Sequence, residues 1–517
     1  MDVDGDPTLI ASELTLRARG LRGPPSRYVA SVTATRRLLD AEPVPSLDDY
    51  AAHEGGHGLE AALRLGPQAT VEEVQASGLR GRGGAGFPTG IKWRTVAANA
   101  SPALHSTVVV NASEGEPGAF KDRTLLRVNP YRVIEGALIA AHAIGADGII
   151  FALKASFTTE LQRLRKAISE VQAAGWSKGV DLFVVEGPSE YLFGEETALL
   201  EVIDGRKPFP RIAPPYRHGV DDVGEDPVSG AGVAMAGPDD ETVAPPTLVN
   251  NVETLANVPW VLTHGPEAYR TEGTAKSPGT VLCTVTGSTR RHAVGEFAMG
   301  TPMAEVIESL GGGPAHGRVV AVLSGVAHPL LPGDRLDTPV SYEDLDGAGS
   351  GLGAAGFIVF DESCDLVAVA HGVSRFLAVE SCGQCTPCKQ GGLAIADLLD
   401  GIRRSEASEH DLEVLAARVA TVSESARCYL AHQHQRVVGS LLSLFPDTLR
   451  AHLEGGGQPA VEPVLIAPIV DIVDGRAQLD EHHRDKQPDW TYGPIYSGQA
   501  PADRTDQRLE QAEASRP

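Results

Sequence analysis

The chain is poor in aromatic residues, cysteine and positive charge. Phe, Trp and Tyr make up 5% of its 517 residues, so a core built mainly on large rings is not available. Six cysteines are too few for a disulfide scaffold and point to a reducing compartment. Lys and Arg number 44 against 68 Asp and Glu, a net charge of −24. That balance repels phosphate backbones and argues against nucleic acid as the main partner. Long hydrophobic runs are also missing. The best membrane-span candidate, Val133 to Leu153, contains Glu135, His142 and Asp147 and reads as a buried helix running into a strand. Residues 1–40 carry Asp2, Asp4, Asp6 and Glu13 with no apolar segment of a secretory leader, so a cytoplasmic location is expected.

What is present is 57 Gly, 36 Pro and 42% hydrophobic residues. This suits turns, backbone-lined sites and sizeable cores, and at ~150 residues per domain the length predicts about three domains. Residues 1–50 read as an N-terminal extension, either a partner-binding arm or a solvated tail. Residues 58–78 read as helix broken at Gly66-Pro67, with Thr70 as N-cap and Glu73 completing a capping box. Strand at Ser106–Asn111, helix at Asn129–Ile144, strand at Gly148–Lys154, helix at Phe157–Ala173 and strand at Val180–Val185 alternate as in an α/β domain. Residues 216–245 form a long Gly-, Pro- and Asp-rich loop, of the length that tends to be functional or disordered. A β-rich block from Gly279 to about Asp361 includes one helix, Met303 to Leu310, and a helical block follows over roughly 366–453. The resulting division is 1–50, 51–275, 276–361, 362–456 and an irregular tail, 457–517.

Two segments carry chemistry on their face. Cys382-Gly-Gln-Cys385-Thr-Pro-Cys388 has C-x2-C-x2-C spacing, and Cys428 follows 40 residues after Cys388. Three thiolates at this pitch wrap one face of a small cluster and a distant fourth closes it, the four soft ligands of a [4Fe–4S] cube. Structural zinc is the rival, although zinc sites usually pair cysteines as two CxxC hairpins. Cys283 and Cys364 lie in apolar strand contexts and read as buried small hydrophobes. Gly81-Arg82-Gly83-Gly84-Ala85-Gly86 satisfies G-x-G-x-x-G, but a helix rather than a strand precedes it, which is wrong for a Rossmann dinucleotide loop. With Arg82 and Lys92 nearby, the run serves equally well as a phosphate cradle or as a tight turn.

Longer words surround these segments. GLRGRGGAGFPTGIKW (78–93), NASEGEPGAFKDR (111–123), YLFGEETALLE (191–201), PTLVNNVETLANVP (246–259) and ESCGQCTPC (380–388) occur in that order. Together they resemble the flavin-binding subunit of respiratory NADH dehydrogenase (complex I) and its relatives in soluble hydrogenases and formate dehydrogenases, over about residues 58–445. The resemblance implies an α/β fold: a Rossmann-like FMN-binding domain, then a ubiquitin-like β-grasp domain, then a helical bundle carrying one [4Fe–4S] cluster. It implies an NADH dehydrogenase or diaphorase in which NADH (or NADPH) passes a hydride to FMN, and single electrons leave through the cluster. It also implies a [2Fe–2S] or ferredoxin-type partner subunit, and a location in the cytoplasm or peripheral to a membrane complex.

Carried over by motif, Gly81, Arg82, Gly83 and Lys92 hold the FMN phosphate and ribityl chain, while Asn111, Glu114 and Tyr191 lie near the isoalloxazine. Gly194, Glu195 and Glu196 form the turn shared by flavin and nucleotide, and Asn250, Asn251 and Thr254 supply further FMN hydrogen bonds. Phe87 stacks on the adenine, Tyr216 lies on the NADH side, and Glu116 stands near the nicotinamide; Glu114 and Glu116 are the catalytic candidates. Cys382, Cys385, Cys388 and Cys428 ligate the cluster. Thr254 and Asn250 also suit helix-cap and turn roles, and Glu195 and Glu196 suit the first turn of a helix.

The sequence departs from the family at several contacts. Ser113 stands where the family has Asp, Ala213 where it has Lys, Tyr216 where it has Phe, and Thr95 where many members have an aromatic. Cys428 is followed by Tyr-Leu-Ala-His instead of a small, Gly-containing run. These changes fall mainly on the NADH side. They keep two alternatives in play: a diverged paralogue with another electron donor, and an electron wire or scaffold that does not oxidise a nucleotide.

Overall fold

The structure is a computed structural model that describes residues 37–100, 106–217, 219–220, 246–455, 463–492 and 500–503. Its first sheet has four parallel strands, β1 (Ser106–Asn111), β2 (Ala146–Lys154), β3 (Asp181–Gly187) and β4 (Thr247–Asn251), in the order β3-β2-β1-β4. Val108, Val109 and Val110 are fully buried, as in a strand covered on both faces. The helix Pro130–Ile144 begins where Asn129 accepts the Arg132 N–H and ends at left-handed Gly145. It packs so closely on the helix Val252–His264 that a Cβ at Gly136 would meet the Leu255 carbonyl oxygen at 2.0 Å. Glu135, inside this apolar helix, accepts hydrogen bonds from the backbone of Gly56 and Leu59 and from the Tyr50 hydroxyl. The charge that disqualified a membrane span is therefore satisfied in the core.

The strand order fixes where a ligand can bind. The chain moves from β1 outward to β2 and β3, then returns to place β4 on the other side of β1. The β1/β4 boundary is thus a topological switch point, and the crevice outside the carboxyl ends of these strands is the expected site. The register puts Asn111 beside Asn251 and Val110 beside Asn250 at that end.

A second, mixed sheet has the order β6-β5-β9-β7-β8. It comprises β5 (Thr280–Gly287), β6 (Ala293–Ala298), β7 (Val319–Ser324), β8 (Leu331–Pro332) and β9 (Gly356–Asp361), with β5 and β9 parallel and the other pairs antiparallel. The helix Met303–Gly311 shares its core. Helices Leu366–Glu380, Gly392–Arg403, Glu409–Thr421, Leu430–Leu444 and Pro446–Leu453 follow and enclose another core.

Three local expectations are corrected. Thr70 does not cap a helix: the helix starts at Pro67, which suits the first helical position, and the Thr70 hydroxyl donates to the Gly66 carbonyl at 2.9 Å from inside it. Cys364 lies past the end of β9, half-buried, with its Sγ 2.9 Å from the Ser288 hydroxyl. The tail is not irregular throughout. β10 (Ile469–Val473) and β11 (Arg476–Leu479) form a hairpin whose Ile469 and Ile472 join the core of the first sheet. The end of the N-terminal extension is also packed: the N–H groups of Arg37, Leu38 and Leu39 all donate to one Glu296 carboxylate oxygen. Residues 1–36 and nearly all of the loop 216–245 lie outside the described residues.

Candidate functional site

A cavity of about 840 Å³ opens at the carboxyl end of the first sheet. Gly83, Asn111, Glu114, Glu116, Tyr191, Gly194, Glu195 and Asn251, all expected from sequence, line it. The second sheet contributes His328, Tyr342 and the loop Gly351–Ala354, and the helical region contributes Cys428 to Leu430 and Gln433.

The glycine loop is a rigid ring. The Gly81 N–H donates to the Phe87 carbonyl at 2.8 Å, and the Tyr342 hydroxyl donates to the Gly81 carbonyl at 2.6 Å. Gly84 has φ +132°, and a Cβ built there would meet nothing within 4 Å, so the loop presents bare backbone to open space. Arg82 does not reach that space. It is buried, its Nη2 donates to the carbonyls of Pro278 and Thr280, and its Nε lies 3.8 Å from Glu253. Its backbone N–H donates to the Thr254 hydroxyl, so Thr254 supports the loop from behind. Arg82 is therefore a strut between the loop and β5, not a phosphate cation. Arg80 is the one Lys or Arg among the described lining residues; it stacks over Tyr342 at 4.1 Å and donates to the Gly86 carbonyl.

Other expected residues stand behind or beside the cavity. Lys92 pairs with Glu196, and neither is among the lining residues. Asn250 accepts the Trp93 indole N–H at 2.7 Å and is buried. Phe87 is exposed, and Tyr216 is partly exposed beyond the lining. Ser113, by contrast, is in the cavity lining, its hydroxyl donating to the Asn111 side-chain oxygen at 2.7 Å while the Asn111 amide donates to the Gly194 carbonyl. The Ser113 substitution thus fixes Asn111.

The acidic residues are held at separate stations. Glu114 accepts the backbone N–H groups of Lys121, Asp122 and Arg123 at the start of a helix. Burial, with Asp122 beside it, still pushes its carboxyl up to about 7 against the pull of Lys121 and these N–H groups. Glu116 accepts the Val326 N–H at 2.6 Å and the Tyr191 hydroxyl at 2.5 Å, and burial raises its carboxyl. Gln433 donates to the same Tyr191 hydroxyl at 3.0 Å. Glu195 caps the helix Glu196–Ile203 by accepting the Thr197 and Ala198 N–H groups. Sequence reasoning missed Arg80, Asp122, His328, Tyr342, Glu343, Asp346 and Gln433. A second glycine-rich run, residues 347–356, marked the opposite wall, but nothing local marked Gln433.

The four cysteines Cys382, Cys385, Cys388 and Cys428 line one small cavity, with no His, Asp or Glu among its described lining. Burial pushes the Cys388 and Cys428 thiols up to about 12. Gln384 donates to Cys382 Sγ at 3.4 Å, and a single turn of π-helix, Pro387–Gly391, carries Cys388. Among the described residues no three His, Cys, Asp or Glu side chains converge closely enough to hold one metal ion. Leu192, Cys428 and Leu430 line both cavities, so one layer of side chains separates them.

Comparisons with known proteins agree with this geometry. The Nuo51 FMN-binding domain family matches residues 74–260, and the NADH-ubiquinone oxidoreductase-F iron-sulfur binding region matches residues 368–452. The F subunit of the NADH-quinone oxidoreductase of Streptomyces coelicolor is 34% identical over 84% of this chain and 94% of its own length. That of Aquifex aeolicus is 36% identical over 81% of this chain and 95% of its own. Among solved structures, the NAD+-reducing [NiFe]-hydrogenase in its H2-reduced state superimposes with a TM-score of 0.68 at 31% identity, covering 88% of this chain and 73% of that one.

Proposed function

The chain belongs to the family of NADH-quinone oxidoreductase F subunits, and on that premise we propose which of its residues do the work. It is an NADH-oxidising flavoprotein, the electron-input subunit of an NADH dehydrogenase, with FMN and a [4Fe–4S] cluster as cofactors. When bound, FMN supplies a hydride acceptor that can release electrons one at a time, and the cluster supplies a one-electron carrier.

The observation that carries the assignment is the shared wall of Leu192, Cys428 and Leu430. It sets a cavity of flavin-binding size directly against a cavity lined by four thiols. The backbone of Gly83 and Gly84, together with Arg80, binds the FMN phosphate. Asn111, Asn251 and Glu114 orient the ring system at the switch point. Glu116, held by Tyr191 and Val326, lies on the nicotinamide side, and Glu195 with Gly194 meets the nucleotide. Lys92 reaches the flavin site only by leaving Glu196. Phe87 and Tyr216 serve the nucleotide end from outside the cavity. Cys382, Cys385, Cys388 and Cys428 hold the cluster.

On this reading residues 51–275 form the Rossmann-like FMN and NADH unit, residues 276–361 a β-grasp unit, and residues 362–456 the [4Fe–4S] unit. The mixed second sheet, whose core is shared by the expected helix Met303–Gly311 and by a second, short helix, Tyr342–Gly347, that the sequence reading did not include, supports the middle assignment. Relatives that belong to larger oxidoreductases imply electron-transfer partners, and we assign the exit to a [2Fe–2S] or ferredoxin-type protein. No described helix is long and apolar enough to cross a membrane.

The test is an anaerobic visible spectrum before and after NADH. A flavin band that bleaches at once over a broad iron–sulfur shoulder supports the assignment. A band that bleaches with dithionite but not with NADH overturns the donor.

A further inference from the structure

The most unusual charged group outside the two cavities is buried beside the helix that leads into the cysteine loop. Glu380, the last residue of the helix Leu366–Glu380, is inaccessible to solvent, and so is its partner Lys486. Lys486 Nζ donates to Glu380 Oε1 at 2.6 Å, and His483 Nε2 lies 3.0 Å from the same oxygen. The other oxygen, Oε2, accepts the backbone N–H of Tyr191 at 2.9 Å. Tyr191 lines the larger cavity, and Glu380 stands two residues before Cys382.

The C-terminal segment that supplies Lys486 and His483 is tied down along its length. Arg375 donates to the carbonyls of His483 and Arg484, each at 2.8 Å, and to that of Lys486 at 3.2 Å. The Trp490 indole N–H donates to the Val379 carbonyl at 3.0 Å, one residue before Glu380. His483, Phe376 and Tyr191 form a chain of ring contacts, with centroids 5.6 and 5.3 Å apart. Farther on, the Ala502 N–H donates to the Cys382 carbonyl at 2.9 Å, and Ala500 packs on Gly383.

A fully buried ion pair is a poor source of stability, because desolvating two charges offsets most of their attraction; an apolar pair of the same volume does as well. What such a pair does supply is a fixed geometry, since each carboxylate oxygen accepts only along certain directions. Here the fixed point bonds the backbone of Tyr191, in the lining of the larger cavity, and stands two residues before Cys382, in the lining of the smaller one.

We propose that residues 480–492 are a positioning clamp for electron transfer. Lys486 and His483 hold the Glu380 carboxylate, which pins the Tyr191 backbone on the flavin side and the start of the Cys382 loop on the cluster side. The clamp thereby sets the spacing and environment of the cluster relative to the flavin pocket. Lys486, His483 and Trp490 are positioning residues that act through Glu380 and Val379. This inference rests on the cofactor sites assigned above.

The experiment uses the full-length, cofactor-loaded protein and the variant Lys486→Met, with two readouts after rapid anaerobic mixing with NADH. Flavin bleaching reports the pocket, and the electron paramagnetic resonance signal reports the reduced cluster. The expected result is flavin bleaching within twofold of the parent protein, cluster reduction slowed at least fivefold, and a broadened cluster signal. An unchanged rate and line shape of the cluster overturns the clamp, as does an equal slowing of both phases, which marks a general structural defect. Should Lys486→Met fail to fold, Trp490→Phe, which removes the indole N–H and keeps a smaller aromatic ring, takes its place. It is expected to alter the cluster line shape, and an unaltered line shape overturns the proposal. If the parent protein itself does not bleach with NADH, the donor assignment has failed. The clamp is then judged on the line shape after dithionite reduction.

Discussion

At the scale of single residues the structure separates two arginines that look alike in sequence. Arg82 completes a buried set with Glu253, which also meets Lys121 Nζ at 2.8 Å. Arg82→Met leaves Glu253 with one cation fewer and the Pro278 and Thr280 carbonyls without their donor. It is expected to cost about 3 kcal/mol of stability, read by denaturant unfolding of the flavin-free protein. Arg80→Ala, which loses the hydrogen bond to the Gly86 carbonyl and the stack on Tyr342, is expected to cost less stability than Arg82→Met, about 1 kcal/mol, and to weaken FMN about ten- to a hundredfold by fluorescence titration, the effect of losing one charged hydrogen bond. The motif spacing alone gives no way to tell which arginine faces the cavity, because that depends on β5, almost 200 residues away. Ser113 was legible as a departure, but its role in holding Asn111 was not. Ala213 is exposed, so Ala213→Lys restores a cation without disturbing a core, and it is expected to lower the Michaelis constant for NADH in steady-state assays.

Glu114 adds a pH dependence. Its folded-state carboxyl is raised from 4.5 to about 7, chiefly by burial. Between these values the folded protein keeps a proton that the unfolded chain has released, so this group's contribution to stability is greatest below 4.5 and is lost as pH rises toward 7. Glu114→Gln is expected to flatten the parent's decline over that interval in urea melts of the flavin-free protein. An identical slope in both proteins contradicts the raised carboxyl.

At the scale of elements, the buried parallel strands were legible because runs such as STVVVN have few other uses. The C-terminal hairpin was not recognised, although Asp474-Gly475 is the usual turn signal for one; both residues have positive φ, 50° and 72°. Its pattern is faint because only Ile469 and Ile472 are fully in the core, Ala477 and Leu479 pack at its edge, and Val470 and Val473 are exposed, so apolar residues do not alternate cleanly. The core assignment makes a sharp contrast. Ile472→Ala is expected to cost about 2–4 kcal/mol in thermal or denaturant unfolding. Val470→Ala, at a position 48% exposed, is expected to stay within about 0.5 kcal/mol. Thr70 shows the opposite error, in which a good cap pattern was outranked by the proline three residues before it.

At the scale of the whole molecule, the two redox cavities touch but rest on different cores. The larger is built on the carboxyl edge of the first sheet, whereas the cysteines belong to the core of the helical region. Cys388→Ser is therefore expected to abolish the iron–sulfur shoulder while FMN remains bound and bleaches with NADH. Loss of both cofactors together would mean that the shared wall couples their binding. The five sequence words foretold both cavities but only part of the wall between them: Leu192 lies in the third word, whereas Cys428 and Leu430 lie outside all five and join it only when the chain has folded back on itself.

The lining of the larger cavity begins at Arg80 and ends at Gln433. A chain leaving the ribosome can complete its first sheet once β4 has emerged, but it has no closed flavin pocket until the fourth cysteine and the helix beyond it have followed. Prosthetic-group insertion is therefore a late step in the life of this protein. A nascent chain stalled before Gln433 would hold the strands of its first sheet but neither the whole of that sheet's core nor the complete lining of the flavin pocket.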